Sequence, residues 1–267
     1  MRRALVALTI LAVSFSTQAH EFWLQAEPYS PAAGTSVRLT LWVGENFVGD
    51  QVAFAAGHAA ALRRINAAAT EDLLARAALK KPRGELRIDA AKPGTHLLVF
   101  DSQPTLITLS ADKFHAYLHD EGLDEIVRQR EAAGNATRPG RERYRRCVKA
   151  LLRVGGQSDT THSARTGQRL EIVPLNDPLA TRAGAQFDFA ITFDNRPVAG
   201  RLVKAWNKGN NQTMIIRANT DRSGHVSFNL PYAGTWMISL VHMIPTTDTA
   251  DADWDSFWGN LTFEVAA

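Results

Sequence analysis

Short segments in which apolar and polar residues alternate recur along this chain, and they restrict its fold more than any other feature. Val37 to Val43 and Phe187 to Ile191 alternate in this way, and turn residues separate the segments. In Trp236 to Met243 the same period of two divides the side chains between two faces. A period of two is typical of β-strands that bury one face. The pattern predicts a mainly β protein made of immunoglobulin-like or transthyretin-like antiparallel sandwiches.

The strand signals fall into two regions with a different pattern between them. We predict an N-terminal β-sandwich over residues 20–109 and a C-terminal one over 169–267. Residues 110–155 are predicted to form an α-helical hairpin, with helices over Ala111 to Ala133 and Arg141 to Val154, and the Gly, Ser and Thr residues of 156–168 indicate a linker. The Ala-rich region from Ala53 to Ala78 also has helix propensity and stays unassigned.

The first nineteen residues have the composition of a secretory leader. Arg2 and Arg3 precede the apolar run Ala4 to Phe15, and small residues stand before a cleavage point after Ala19. The apolar run is too short to span a membrane as a helix. The pattern predicts a signal peptide over residues 1–19 and a periplasmic mature protein that begins at His20.

Charge and cysteine content exclude several classes of function. The chain has 30 Lys and Arg against 27 Asp and Glu, and loss of Arg2 and Arg3 leaves the two signs almost equal. The sequence pI of about 9.2 is therefore not a nucleic-acid signature. Cys147 is the single cysteine, so no intramolecular disulfide can form. Because a serine-hydrolase elbow, a P-loop and a Cys-His nucleophile pattern are all missing, we predict no enzymatic activity and identify no small-molecule substrate.

A processed N-terminal histidine is a two-point chelator. The α-amine and Nδ1 of His20 would close a six-membered ring around an ion, and their unperturbed pKa values of about 7.7–8.0 and about 6.5 allow a metal to displace their protons near neutral pH. Nitrogen ligands suit Ni(II), Co(II), Cu(II) and Zn(II). The sequence therefore predicts a divalent transition-metal site at His20.

Further ligands must come from elsewhere in the chain. The predicted partner of His20 is His242, in an apolar strand, or His96, after the Pro93-Gly94 break. His115 and His119 have the spacing of four that puts two ligands on one helix face, but without a further partner they are typical of a solvated face. The carboxylates Asp251, Asp253 and Asp255 fail the calcium-loop pattern, yet one of them could bind a metal or orient a histidine. His58, His162 and His225 lie in polar surroundings and are assigned no role.

Several segments together resemble one family of bacterial periplasmic proteins. The segments that carry the resemblance are His20-Glu21-Phe22-Trp23-Leu24, Lys113-Phe114 with Tyr117-Leu118 and Glu121-Gly122-Leu123, Arg141-Glu142-Arg143-Tyr144, Lys149-Ala150-Leu151, and Leu170 to Leu175. That family carries a domain of unknown function and is associated with nickel and cobalt uptake permeases. The resemblance implies a periplasmic accessory role beside such a permease and a metal-binding role for His20. It also implies that His96 and His242 stand where members of the family carry histidine, whereas His115 and His119 depart from the family pattern.

Two alternatives stay open. The same ligands could form a copper-binding histidine brace that serves copper handling, because copper has the highest intrinsic affinity for such sites. A metal-free adhesion or carbohydrate-binding sandwich is the other alternative, and exposed aromatics such as Trp254 and Trp258 on a common rim would favour it.

Overall fold

The structure, a computed structural model, describes residues 21–55, 57–77, 84–209 and 212–267. The predicted leader and His20 lie outside the described residues. The strands are β1 Glu21–Glu27, β2 Thr35–Glu45, β3 Val48–Val52, β4 Ala59–Asn66, β5 Ala69–Asp72, β6 Leu86–Ala90, β7 Gly94–Ser102, β8 Thr105–Leu109, β9 Gly140–Val154, β10 Leu170–Pro174, β11 Gln186–Phe193, β12 Arg196–Pro197, β13 Leu202–Gly209, β14 Gln212–Asn219, β15 His225–Asn229, β16 Gly234–Pro245 and β17 Trp254–Val265. The α-helices are α1 Leu74–Ala77, α2 Ala111–Asp120 and α3 Asp124–Ala132.

One nine-stranded sheet forms the middle of the molecule. Its strand order is β14-β13-β16-β17-β9-β7-β4-β5, with β8 also paired to β9. Its pairings are antiparallel except for the parallel pair of β9 and β17. Strands from both predicted sandwiches therefore share one sheet, and the division into separate domains at the predicted boundaries stays a prediction.

Two four-stranded sheets cover opposite faces of the central sheet. Strand β7 shows the division, since Leu98 and Phe100 pack in one core with β1, β2 and β6, whereas Leu97 and Val99 pack in another with β10, β11 and β15. Strand β16 shows the same division that the alternation of Trp236 to Met243 predicts. Ile238 packs in the core with β10, β11 and β15, and Val241 packs on the opposite face. Successive residues of a strand point to opposite faces, so each buried strand contributes to two cores. The prediction of a mainly β sandwich with a helical insertion is confirmed.

The helical insertion is shorter than the sequence predicts. The predicted helix from Ala111 to Ala133 is broken into α2 and α3 at Gly122, which has φ +65°. A Cβ at Gly122 would lie 2.6 Å from Cβ of Leu202, so this tight turn requires glycine. The buried side of the pair packs with Val241 and Trp258 on the central sheet. Among the described residues, no helix has the length and apolar content needed to cross a bilayer.

The predicted second helix over Arg141 to Val154 is wrong, because these residues form strand β9. The interval between Tyr144 and Val148 fits a helical stripe, but Cys147 to Leu152 is buried without interruption. Such a run is typical of a strand covered on both faces, and its periodicity does not distinguish it from a buried helix. The hairpin therefore consists of α2 and α3 alone, and its predicted range of 110–155 ends too late.

Candidate functional site

The beginning of β1 is anchored along the central sheet. Asn260 Nδ2 donates a hydrogen bond to the carbonyl of Phe22, and Thr262 Oγ1 donates to the carbonyl of Leu24 at 2.6 Å. Strand β1 also pairs with β2 from Glu21 to Glu27. The residue bonded to Glu21 is His20, so the predicted mature terminus is attached to a fixed strand end.

The first described side chain, Glu21, is buried. It is 7% exposed, and its Oε1 accepts a hydrogen bond from Ser239 Oγ at 2.9 Å. The hydroxyl of Ser239 in turn accepts from Trp206 Nε1 at 2.9 Å. Burial raises the pKa of the Glu21 carboxyl group, and the charge of Lys204 opposes that increase.

Two further buried carboxyl groups share a nearby cation with Glu21, Glu121 through Lys204 and Glu142 through Arg146. Glu121 Oε1 lies 2.8 Å from Lys204 Nζ, and burial raises the pKa of Glu121 to about 7. Glu142 accepts hydrogen bonds from Ser256 Oγ and from Tyr117 Oη, the latter at 3.2 Å, and burial also raises its pKa. We call Glu21, Glu121 and Glu142 the carboxylate cluster.

Two cations accompany the carboxylate cluster, Lys204 and Arg146. The Arg146 guanidinium lies 4.5 Å from the ring centre of Trp258, 5.0 Å from that of Tyr144 and 5.7 Å from that of Phe22. Its Nη1 is buried and has no hydrogen-bond partner among the described residues. Burial lowers the pKa of Arg146, and the charges of Glu21 and Glu142 oppose that change. Three buried carboxyl groups thus lie near two cations.

A groove opens beside this cluster. It has a volume of about 300 Å³ and an apolar wall that includes Phe22, Val43 and Phe100, with Tyr144 and Arg146 at one side. The ring centres of Phe22 and Phe100 are 5.6 Å apart. The groove gives solvent and solutes a route to the beginning of β1.

The predicted ligand His242 lies on the opposite face of the central sheet from Glu21. Its position on β16 is three residues after Ser239, the partner of Glu21, so the two side chains point to opposite faces. The ring of His242 lies 4.4 Å from the ring centre of Phe193 on β11. Burial lowers the pKa of His242 to about 4, with a further lowering from Arg201.

The other predicted ligand, His96, lies near the far end of β1. Its side chain is 2% exposed, and Nε2 bonds to the carbonyl of Lys92 at 2.9 Å. His96 pairs with Leu152 of β9, whereas His242 is connected through Phe257 to Arg145 of β9. Positions 145 and 152 of a strand are about 23 Å apart. His96 and His242 therefore cannot bind one ion together, and neither lies beside Glu21.

The acidic loop contributes to ion pairs rather than to a metal site. Asp253 pairs with Arg141 at 2.6 Å, and Asp255 with Arg143 at 2.8 Å. Within the part of the chain that the structure describes, no group of three or more His, Cys, Asp or Glu side chains is arranged to hold a metal.

The aromatic residues of the adhesion alternative are not on a surface rim. Trp254 is 8% exposed and Trp258 is 5% exposed, and both pack against the helices α2 and α3. The prediction that Trp254 and Trp258 form an exposed aromatic rim, which would favour a carbohydrate-binding face, is therefore wrong.

The carboxylate cluster was not predicted from the sequence. Its members come from β1, the residue after α2, and β9, and its cations come from β9 and β13, so no local motif connects them. The one available signal is the charged residue Lys204 inside the otherwise apolar run Leu202 to Trp206, because charged side chains are rarely buried without partners.

A known protein family covers most of the chain. The family model described as "Domain of unknown function (DUF4198)" matches residues 17–244. The chain belongs to the DUF4198 family. The match includes β1 and all members of the carboxylate cluster with their two cations, so the site described above lies within the DUF4198 domain. No curated protein matches the chain.

Solved structures show only slight likeness to this DUF4198 protein. A mutant of Salmonella alpha-2-macroglobulin has 12% identity and a TM-score of 0.24, with 92% of this chain and 16% of that chain covered. Three N-terminal domains of the bacteriophage RB49 outer capsid protein Hoc have 10% identity and a TM-score of 0.20, with 91% of this chain and 59% of that chain covered. The chain thus spans less than two thirds of the length of either protein, and we draw no functional conclusion from them.

The buried imidazole of His242 makes stability depend on pH. Its pKa is lowered to about 4 in the folded protein, whereas an unfolded histidine has a pKa of about 6.5. The unfolded state therefore binds the proton more readily between these values, and the free energy of unfolding should fall by up to about 3 kcal/mol as pH decreases from about 6.5 to 4. Urea unfolding of the protein and of His242→Phe at pH 7.5 and 4.5 measures this difference. Between pH 7.5 and pH 4.5, His242→Phe should lose less unfolding free energy than the parent protein. A variant of the exposed His225 is the control and should lose as much as the parent. Equal losses in all three proteins would contradict the assignment.

Proposed function

We propose that the mature protein is a periplasmic transition-metal-binding protein that begins at His20 and holds its ion through the α-amine and Nδ1 of that residue. The observation that carries the proposal is the carboxylate cluster, which includes Glu21, the residue that follows His20 in the chain. The protein has no catalytic step. Exchange of the ion at an open coordination position is its mechanism.

The charge of the cluster supports a cation at this terminus. Glu21, Glu121 and Glu142 outnumber Lys204 and Arg146, and burial raises the pKa of all three carboxyl groups. A positive group next to Glu21 would favour the ionised carboxylates. The free α-ammonium group and a bound metal ion both have the required sign, and a metal titration separates them.

The proposed cargo is nickel or cobalt, and the proposed partner is a membrane uptake permease. This part rests on the resemblance to permease-associated periplasmic proteins, together with the preference of amine and imidazole nitrogens for late divalent metals. The alternative is a copper-handling protein with the same ligands. Since copper binds such ligands most tightly, tight copper binding in vitro would not identify the cargo. A nickel-cobalt permease gene next to this one would favour the first proposal, and a copper exporter gene would favour the alternative.

The direct test compares two forms of the mature chain in a Ni(II) titration by calorimetry. One form begins at His20, and the other has a single alanine placed before His20. The added residue converts the α-amine into an amide, which cannot bind the metal in the same ring. We expect at least a tenfold loss of affinity, about 1.4 kcal/mol.

Matched controls use histidines that lie away from β1. His96→Gln and His242→Gln, in the chain that begins at His20, should keep the affinity of the parent because neither residue lies beside Glu21. Equal affinity of the two N-terminal forms would contradict the N-terminal chelate, and a stoichiometry of zero for both would contradict a Ni(II) site there.

A further inference from the structure

Two histidines on helix α2 stand close together on its solvent side. His119 Nε2 lies 3.2 Å from His115 Nε2, and the centres of the two rings are 4.6 Å apart. The spacing of four residues puts them on one face of the helix. The opposite face of α2 is fixed to the core by Phe114 and Leu118, both fully buried.

The distance between the two nitrogens is that of a pair of metal ligands. Nitrogens that bind one ion at about 2.0–2.1 Å lie about 2.9–3.4 Å apart when they subtend a right or a tetrahedral angle. The observed 3.2 Å falls in this range.

A carboxylate fixes the tautomer of one histidine. Asp124 Oδ1 lies 2.9 Å from Nδ1 of His119. The Nδ1–H therefore donates to Asp124, which leaves the lone pair of His119 Nε2 free to accept a hydrogen or to bind a metal. A carboxylate behind a ligand histidine is the usual support of a metal-bound imidazole.

The turn between α2 and α3 brings this carboxylate into place. Gly122, with φ +65°, reverses the chain, and Leu123 N donates to the carbonyl of Leu118 at 2.7 Å. Asp124 is then the first residue of α3 and returns to the end of α2. The three side chains are therefore held by two short helices and a fixed turn, and they do not depend on a loop.

We propose that His115 and His119, oriented by Asp124, form a second binding site for a late divalent transition metal. For the ion to bind, the single ring proton of neutral His115 moves from Nε2 to Nδ1 through solvent, so that both Nε2 lone pairs are available to the ion. Two protein nitrogens leave the other positions to water, which suits an ion that exchanges. The side chains of His119 and Asp124 are 52% and 58% exposed, so the site is open to solvent. It is independent of the N-terminal chelate.

The test uses the full mature chain with His20→Ala, which removes the imidazole of the N-terminal site. Titration with Ni(II) chloride should show about one equivalent bound. We expect His119→Gln and His115→Gln each to lower the Ni(II) affinity at least tenfold, and Asp124→Asn to lower it about tenfold. His225→Gln, at an exposed histidine elsewhere, is the matched control and should leave the affinity unchanged.

The outcomes separate the two sites. Retention of parental affinity by the His115→Gln/His119→Gln double variant, with unchanged far-ultraviolet circular dichroism, would overturn the second site. If the double variant loses an equivalent of Ni(II) while the alanine-extended N-terminus has no effect, the second site stands and the N-terminal chelate fails. Amide hydrogen exchange gives a second readout, since Ni(II) should slow exchange in α2 of the parent and leave it unchanged in the double variant.

Discussion

The Lys149→Met variant is expected to lose about 3–5 kcal/mol of unfolding free energy, because it leaves a buried carboxylate without its partner. Lys149 Nζ lies 2.7 Å from Glu171 Oε1, and their side chains are 2% and 1% exposed. Lys149 belongs to β9 of the central sheet and Glu171 to β10 of a covering sheet, so the pair joins two layers. Burial lowers the pKa of Lys149, and the charge of Glu171 opposes this change.

Equilibrium unfolding in urea at pH 7.5 measures this loss. The double variant Lys149→Met/Glu171→Gln is the control, because glutamine keeps an acceptor for Thr166, which donates to Glu171 through its backbone N–H and its hydroxyl. Removal of both charges should restore most of the stability, since a buried pair contributes little net free energy over neutral groups. A single variant within about 1 kcal/mol of the parent would show that Glu171 finds another cation or water.

The Lys204→Met variant should be destabilised by about 3–5 kcal/mol at pH 8 and by much less at pH 5. Lys204 pairs with Glu121, and each side chain is 7% exposed. The pKa of Glu121 is raised to about 7 in the folded protein, above its unfolded value of about 4.3. Glu121 therefore takes up a proton on folding between these values, and the stability that it contributes at low pH is lost as pH rises.

The pH difference identifies the mechanism of that loss. At pH 5 the variant can hold Glu121 neutral and needs no cation beside it, whereas at pH 8 it must bury an unpaired carboxylate. Unfolding of Lys204→Met at both pH values, with the exposed Lys92→Met as the control, gives the comparison. The double variant Lys204→Met/Glu121→Gln should remove the dependence on pH. A loss of equal size at pH 5 and pH 8 would indicate lost packing rather than lost charge compensation.

The parts of the fold that follow from local pattern could be predicted from the sequence. Phe187 to Ile191 and Trp236 to Met243 alternate, and they form β11 and β16 with the two faces divided as predicted. The sequence of strand β9 does not identify it as a strand, because both of its faces are covered and the alternation is lost. Its parallel pairing with β17 connects residues more than a hundred positions apart, and no local pattern encodes such a contact.

The candidate sites also have parts that the sequence shows and parts that depend on the tertiary structure. The pair of His115 and His119 is readable from its spacing, but the contact with Asp124 depends on the turn at Gly122. The carboxylate cluster depends on tertiary packing of β1, the turn after α2, β9 and β13, so the sequence contains no motif for it. The sequence predicts His242 or His96 as the partner of His20, and it contains no information on sheet register, which places both of them away from the beginning of β1.

The central claim requires that His20 be the first residue of the mature protein, and the intact mass of the exported chain tests this most directly. The protein should be purified from the periplasm after expression with its own leader and measured by mass spectrometry without proteolysis. We expect the mass of a chain that runs from His20 to the C-terminus with an unmodified α-amine. A mass that corresponds to any other first residue, or to a retained leader, would contradict it.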